Sequence, residues 1–305
     1  MNIRIVLAAA AGFGLVSATN PARPNPEIRI DDVSRFYALY DATAGKPTAQ
    51  QIQQQYLDES SPGLIEFAKL RDITSDRMAT AIADRPAVFA DARRCADTLP
   101  AVKVRLADAL AKLREVYPQA TFPPVTVAIG RGKTGGTANA SGVMIGLEAL
   151  CAVEFFKPDM EGSLVHIIAH EYAHVQQPSA QVEDPDDPVL KGALIEGGAE
   201  FIAELISGSV SYPHLASATK GREKEFETAF LADVDKKIVG SKWLYNGFGT
   251  PEWPGDLGYW VGYRITKAYY VRSKDKKAAV REIIQMSDFK AFLAKSGWHP
   301  GIKLN

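Results

Sequence analysis

The feature that most constrains this chain is a pair of short motifs, HEYAH at 170–174 and EGGAE at 196–200. Residues four apart lie on one face of a helix, so His170 and His174 can direct both imidazoles at a single metal ion. Glu171 then stands beside the open coordination position, where a carboxylate can take a proton from a water molecule. The first motif therefore predicts a helix with a catalytic metal site, and zinc is the expected ion.

The second motif supplies the ligand that the first one lacks. A catalytic zinc ion typically has three protein ligands and one open position. We expect Glu196 to be the third ligand, on a helix that lies across the helix of the two histidines. Glu200, one turn later, is expected to accept the free imidazole N–H of one histidine. Spacing alone also permits the reverse assignment, with Glu200 as the ligand and Glu196 as its support.

Both motifs lie within otherwise apolar helical stretches, which argues against a chance occurrence. A buried carboxylate without a partner is costly, so two such helices are best explained by a shared cation. His166 extends the histidine stripe by one more turn. We expect it to be a core or supporting histidine, because successive steps of four drift around the helix axis.

Composition limits the remaining classes of function. The chain has 305 residues, of which 46% are hydrophobic and 23% charged, as in a globular protein with a large core. Its formal net charge of -1 gives no reason to expect nucleic acid or an anionic membrane as a partner. The GKT at 132–134 is not a phosphate-binding loop, because Val127 stands where the motif requires glycine.

The N-terminal 18 residues have the order of a secretory signal peptide, with Arg4 ahead of a short apolar core and small residues at 16–18. We expect export to a periplasm or the cell exterior, with no stable membrane anchor after removal; the alternative is a helix retained in the fold. Cys95 and Cys151 are the two cysteines. They either pair in an oxidising compartment or remain two buried thiols.

Periodicity predicts an α+β fold that is predominantly helical, with a helical N-terminal region at 19–120 and a catalytic domain at 121–305. A small sheet or hairpin precedes the HEYAH helix, built from strands at 125–129 and 142–147, with a possible substrate-binding edge strand at 138–143. The expected helices are 32–44, 48–59, 63–70, 75–83, 101–117, 160–177, 189–206, 223–239, 257–271 and 276–292.

On these motifs the chain resembles the gluzincin superfamily of metallopeptidases. Aminopeptidase-N-like members carry the zinc glutamate in E-G-x-A, which favours Glu196 as the ligand, and thermolysin-like members have a supporting acid at the position of Glu200. The chain looks most like a bacterial family of predicted zinc-dependent proteases with an HExxH, an EGxAE and a late Gly-Tyr-x-x-Gly-Tyr element. The resemblance covers roughly 122–272.

The late element here is GYWVGY at 258–263. The resemblance to aminopeptidase-N relatives implies that Tyr259 stabilises the oxyanion of the tetrahedral intermediate, with Tyr263 as a second candidate. Two tyrosines four apart on a helix are also common packing residues. The glycine-rich motif with which those relatives bind a free amine is not visible, so an endopeptidase is favoured over an aminopeptidase.

The resulting hypothesis is zinc-dependent hydrolysis of a peptide or protein substrate, with Glu171 as general base. A non-catalytic envelope protein that binds peptides and keeps zinc to hold its fold is the alternative. Retention of both Glu171 and Tyr259 argues against that alternative, because a structural zinc site needs neither. Hydrolysis of a non-peptide bond remains chemically open.

Overall fold

The computed structural model describes residues 27–178, 186–210, 213–247 and 249–304. The predicted signal peptide at 1–18 lies outside these residues. Within them the chain is mostly helical with one small mixed sheet, which confirms the predicted α+β class. None of the helices in the described part is long and apolar enough to cross a membrane.

The N-terminal region is a layer of helices, most of them short. Thr48 begins the second of them with a capping box, in which its hydroxyl accepts from the amide of Gln51 and the Gln51 side chain accepts from the amide of Thr48. The helices are α1 (Asp31–Ala42), α2 (Ala49–Ile52) with a π-helical continuation (Gln53–Leu57), α3 (Pro62–Arg71), α4 (Ser75–Asp84), α5 (Pro86–Asp91), α6 (Arg93–Ala96) and α7 (Leu99–Val116).

The sheet has four strands in the order β1-β2-β4-β3, namely β1 (Ile28–Arg29), β2 (Val125–Ala128), β3 (Gly136–Asn139) and β4 (Gly142–Gly146). The central strands β2 and β4 are parallel, and every residue in them is buried. Helices α1 and α3 pack on this sheet, and so does the helix of the HEYAH motif. Burial of both faces explains the continuous apolar runs of the two central strands.

Of the small sheet or hairpin predicted ahead of the HEYAH helix, the structure has the sheet. The strands near 125 and 142 do not form a hairpin with each other; they are parallel, and the hairpin is β3–β4. The edge strand is 136–139 rather than 138–143, because the chain turns at Ala140 and Ser141. Asn139 holds that turn by accepting hydrogen bonds from the amide and hydroxyl of Ser141.

The C-terminal half continues as helices around the motif. They are α8 (Leu147–Cys151), a 3-10 helix (Glu154–Asp159), α9 (Met160–Gln176), α10 (Val189–Ser207), α11 (Pro213–Ala218), α12 (Glu223–Asp233), α13 (Leu257–Arg272), α14 (Lys276–Ile284) and α15 (Phe289–Ser296). The helix predicted at 276–292 is therefore two helices, because Asp288 caps a new start by accepting from the amide of Ala291.

The helix predicted at 223–239 ends at Asp233. The segment after it makes two hydrogen bonds to another helix: the carbonyl of Val234 accepts from the amide of Leu190, and the carbonyl of Lys236 accepts from the amide of Val189. The first amides of a helix have no partner within the helix, so this segment caps α10.

Helices α10 and α13 make the most extensive helix–helix contact in the described chain. They cross at Gly197 and Gly262, where a Cβ on either glycine would overlap the backbone of the other helix. This crossing explains the glycines in EGGAE and GYWVGY. It fixes Glu196 and Tyr259, which lie next to the crossing on their respective helices, relative to each other.

One hydrophobic cluster includes buried residues from the N-terminal helices, the sheet and the C-terminal helices. Cys95 on α6 and Cys151 on α8 form a disulfide, with Cα atoms 6.1 Å apart. The open question about the two cysteines is thereby answered in favour of pairing. Since the bond joins the N-terminal layer to the segment after β4, the two regions are linked covalently as well as by their shared core.

Candidate metal centre and active-site cleft

Helix α9 carries His170 and His174 near its C-terminal end, and α10 brings Glu196 against them. The two Nε2 atoms lie 2.9 Å apart, and Oε2 of Glu196 lies 3.4 Å from Nε2 of His170 and 3.2 Å from Nε2 of His174. All three donor atoms lie within 4.8 Å of one another. Three nitrogen and oxygen donors thus point at a common centre.

This donor set suits zinc. Bonds of about 2.0–2.1 Å in a tetrahedral arrangement place neighbouring ligand atoms about 3.3 Å apart, close to the separations from the carboxylate oxygen to the two imidazoles. Two imidazoles and one carboxylate are also the ligand set of known catalytic zinc sites that keep one position open. The residues His170, His174 and Glu196 therefore fit the ion that the motif predicts.

Glu200 occupies a different place from Glu196, which separates the two assignments that spacing left open. Its Oε1 lies 2.8 Å from Nδ1 of His170, on the far side of that ring from the shared centre. Its Oε2 lies 2.9 Å from Nε2 of His166, whose Nδ1 is 2.5 Å from the carbonyl of Ser209. Glu200 therefore lies where it orients the His170 ring, with Nε2 of that ring facing the centre.

His166 is fully buried and directs both nitrogens at oxygen acceptors, so it is a supporting residue and not a ligand. The His166–Glu200 contact therefore lies one layer behind the candidate metal ligands and holds the Glu200 carboxylate in place.

His174 has its own supporting residue. The Oε1 atom of Gln177 lies 2.7 Å from Nδ1 of His174, and the amide nitrogen of the same side chain donates to the carbonyl of Ile195 at 3.1 Å. Gln177 lies just past the end of α9 and ties it to the start of the glutamate motif. No motif in the sequence marks this role of Gln177.

The charges of the ligands are mutually compensated. Burial alone would raise the pKa of Glu196, but His174 and His170 outweigh it and hold the pKa well below its usual range. Burial alone would lower the pKa of His170, but Glu200 and Glu196 outweigh it and raise the pKa well above its usual value. The imidazoles and carboxylates of this cluster therefore stabilise one another's charged forms, and a metal ion that binds at Nε2 competes with protons for the same nitrogen atoms.

Glu171 lines the cleft beside the ligands but is not among the converging donors. Its carboxylate packs on Gly136 at the start of β3, where a Cβ would overlap Oε1 of Glu171. Burial raises the pKa of Glu171, and the neighbouring His170 and His174 oppose that shift. A carboxyl group with a raised pKa next to a metal centre is suited to accepting and returning a proton.

Of the two tyrosines of the late element, Tyr259 lines the cleft and Tyr263 does not. The ring of Tyr259 lies alongside that of His170, with centroids 6.4 Å apart and planes 24° apart. The hydroxyl of Tyr263 instead accepts a hydrogen bond of 2.8 Å from Lys267, and its ring packs on Phe201. The structure thus brings only the first tyrosine to the centre.

Tyr245 is a cleft residue that the sequence analysis missed. Its hydroxyl donates a hydrogen bond of 2.8 Å to Oε1 of Glu196, the oxygen that does not face the histidines. Tyr245 has φ of 57°, an uncommon conformation for a residue other than glycine, and its loop is tied to the start of α13 by the Asp256 amide, which donates to Asn246. No periodic pattern marks a loop residue of this kind.

The centre lies in a cleft of about 510 Å³. Edge strand β3 forms one wall, with residues 136–139 all lining the cleft, and α9 and α10 form the floor. The remaining walls come from the end of α3, the Tyr245 loop and Ile238. Among the described strands β3 is the outermost of the sheet, and it runs past the candidate metal ligands and Glu171.

Comparison with known proteins agrees with this site. No curated protein and no solved structure matches the chain. Residues 126–290, more than half of the chain, match the model of a family described as predicted Zn-dependent protease (DUF2268), and this range contains both motifs and the late tyrosine element. The chain therefore belongs to the DUF2268 family of predicted Zn-dependent proteases.

Proposed function

We propose that this protein is a zinc-dependent peptidase, and that it cleaves within peptide chains rather than at a free amino end. The observation that carries the proposal is the position of Glu171, a buried carboxylate beside a three-residue metal centre and directly below an edge strand. A centre that served only to hold the fold would need no acid at that point.

A zinc ion bound by His170, His174 and Glu196 would polarise the scissile carbonyl and make a water molecule more acidic. Glu171 accepts the proton of the attacking water and returns it to the leaving amine. Its packing on Gly136 keeps the carboxylate in position for both transfers. Glu200 keeps the His170 ring oriented throughout.

Tyr259 is the proposed donor to the developing oxyanion. It lines the cleft next to His170, whereas Tyr263 is engaged by Lys267. A donor aimed at the oxyanion typically contributes about 2.7–4 kcal/mol to transition-state stabilisation. We assign this role to Tyr259 alone.

The substrate backbone is proposed to pair with β3. The strand pairs with β4 along one edge, and its residues 136–139 line the cleft along the other. A peptide added there would gain backbone hydrogen bonds along its length. Such pairing extends on both sides of the scissile bond, which supports internal cleavage.

Export is also proposed, to a periplasm or the cell exterior. The Cys95–Cys151 disulfide supports it, because disulfides persist in oxidising compartments and are rare in the reducing cytosol. The signal-like order of the first 18 residues agrees with this proposal.

The test compares the wild type with Glu171→Gln and with Glu161→Gln, a control on the same helix whose side chain pairs with Arg105 outside the cleft. Each protein is loaded with zinc, desalted, assayed for bound metal and incubated with a mixed peptide library that is read by mass spectrometry. All three should retain one zinc ion. Cleavage should fall about 100- to 10,000-fold in Glu171→Gln only.

The outcomes separate the alternatives. Bound zinc without cleavage by the wild type would favour the non-catalytic peptide-binding protein. Absence of zinc from all three proteins would refute the metal centre itself.

A further inference from the structure

The cleft contains a charged side chain that comes from outside the residues matched by the family model. Arg71 is the last residue of α3, in the N-terminal layer, and it lines the cleft together with Leu70. Of the described residues that line the cleft, Arg71 is the one arginine, and no lysine is among them. The N-terminal helices thus contribute directly to the catalytic cleft.

The fold holds Arg71 at that point. Leu64 and Phe67 anchor α3 in the core, and the helix ends abruptly because Asp72 has left-handed backbone geometry, with φ of 52°. The carbonyl of Arg71 accepts a hydrogen bond of 3.1 Å from Nε of Arg131. The backbone of Arg71 is therefore fixed relative to the sheet.

The guanidinium group reaches the edge strand. Its Nη2 donates a hydrogen bond of 2.6 Å to the hydroxyl of Thr137, the second residue of β3. The preceding residue, Gly136, packs on Glu171. Arg71 therefore lies one strand residue away from the general base.

We propose that Arg71 is a specificity-determining residue that binds a carboxylate of the substrate, in the residue next to the scissile bond. This inference rests on the proposed function of the cleft. Side chains directly opposite each other on paired strands lie on the same face, and faces alternate along a strand. The side chain of a peptide residue opposite Gly136 therefore points to the face of β3 that carries Glu171. The side chain of the next peptide residue, opposite Thr137, points to the other face, toward Arg71.

A guanidinium group is suited to this role, because its planar donors match the two oxygens of a carboxylate. The carboxylate has two sources, namely an Asp or Glu side chain and the free C-terminus of a short product or substrate. Both present the same group to Arg71, and a test with two sets of peptides separates them.

The test measures binding, so that it does not depend on turnover. Zinc-loaded Glu171→Gln protein is titrated into fluorescein-labelled heptapeptides, in which a single Glu or Gln is moved through the three central positions. Each peptide is made with a free and with an amidated C-terminus. The same titrations are repeated with Arg71→Gln, Arg71→Lys and Lys69→Gln added to the Glu171→Gln background.

We expect one Glu position to strengthen binding about 10- to 100-fold over its Gln counterpart, and Arg71→Gln to abolish that difference. Arg71→Lys should retain part of it, because the charge remains and the paired donors are lost. Lys69→Gln should change nothing, since Lys69 is on the same helix with a side chain 76% exposed and lies outside the cleft. Stronger binding of the peptides with a free C-terminus than of the amidated ones would show that Arg71 binds the C-terminal carboxylate.

Two results would overturn the inference. The first is equal affinity for the Glu and Gln peptides, with free and with amidated C-termini. The second is an equal loss of affinity for every peptide in Arg71→Gln, which would mean that Arg71 only supports β3. Carboxylate-dependent binding without cleavage by the wild type would leave this inference standing and refute the proposed hydrolysis.

Discussion

The crossing of α10 and α13 makes a sharp prediction about two adjacent glycines. A Cβ added at Gly197 would lie 2.5 Å from Cα of Gly262, and closer still to the peptide group that follows it. A Cβ added at Gly198 would meet only Cγ2 of Ile283, at 3.5 Å. The two residues lie on the same helix, both are buried, and replacing either glycine by alanine changes the helix propensity equally, so they form a matched pair.

The expected magnitudes follow from these distances. Carbon atoms in contact are about 3.5–4.0 Å apart, so Gly197→Ala must separate the helices by at least about 1 Å. A gap of that size forfeits a quarter to a half of the dispersion energy of each affected contact, and overpacking typically costs about 1–3 kcal/mol. Gly198→Ala gains up to about 1 kcal/mol in helix propensity and causes no overlap.

The assay is equilibrium unfolding in urea, with zinc affinity measured beside it. We expect Gly197→Ala to be less stable than Gly198→Ala by about 1–3 kcal/mol, because the gain in helix propensity is common to both variants. Zinc affinity should also fall in Gly197→Ala, because Glu196 is the adjacent residue. Equal stability of the two variants would refute the close approach of the two helices.

Three further predictions concern the cleft. Gly136→Ala should displace the carboxylate of Glu171 and reduce peptide cleavage about 100-fold while zinc content, measured by elemental analysis, is retained; unchanged cleavage would contradict the packing. Tyr245→Phe should weaken zinc binding about 10- to 100-fold in a competition titration, because the hydroxyl orients Glu196, and an unchanged affinity would show that this bond contributes nothing. Burial raises the pKa of Asp256 from 3.8 to about 6, so the folded state binds the proton of this carboxyl group more tightly than the unfolded state does. The contribution of this proton to the free energy of unfolding is therefore complete below about pH 4 and is lost as the pH rises through about 6. Asp256→Asn in EDTA should therefore match the wild type near pH 4 and exceed it by up to about 2–3 kcal/mol at pH 8; a pH-independent difference would contradict the shift.

Much of the metal centre could be predicted from helical spacing. His170 and His174 are four residues apart on one helix, so their convergence follows from local geometry. Spacing could not separate Glu196 from Glu200, because both share a face of α10. The distinction depends on His166, which engages Glu200 from the adjacent helix.

Other features depend on tertiary structure and leave little local signal. Arg71 and Tyr245 reach the cleft from an N-terminal helix and from a loop, and no sequence period links them to the motif. Parallel pairing of β2 and β4 was missed for a related reason. The sequences of strands this short do not indicate whether neighbouring strands pair in parallel or antiparallel. The turn after Asn139 decides which pair forms the hairpin.

The disulfide has a consequence for what happens when the backbone of this protein is cut. Cys95 and Cys151 are 56 positions apart, and the enclosed segment contains α7 and three of the four described strands, including the edge strand of the cleft. A single cut of the backbone in that segment leaves two fragments joined through the disulfide. The nicked molecule stays one covalent unit, so such damage by itself does not release the strand that borders the metal centre.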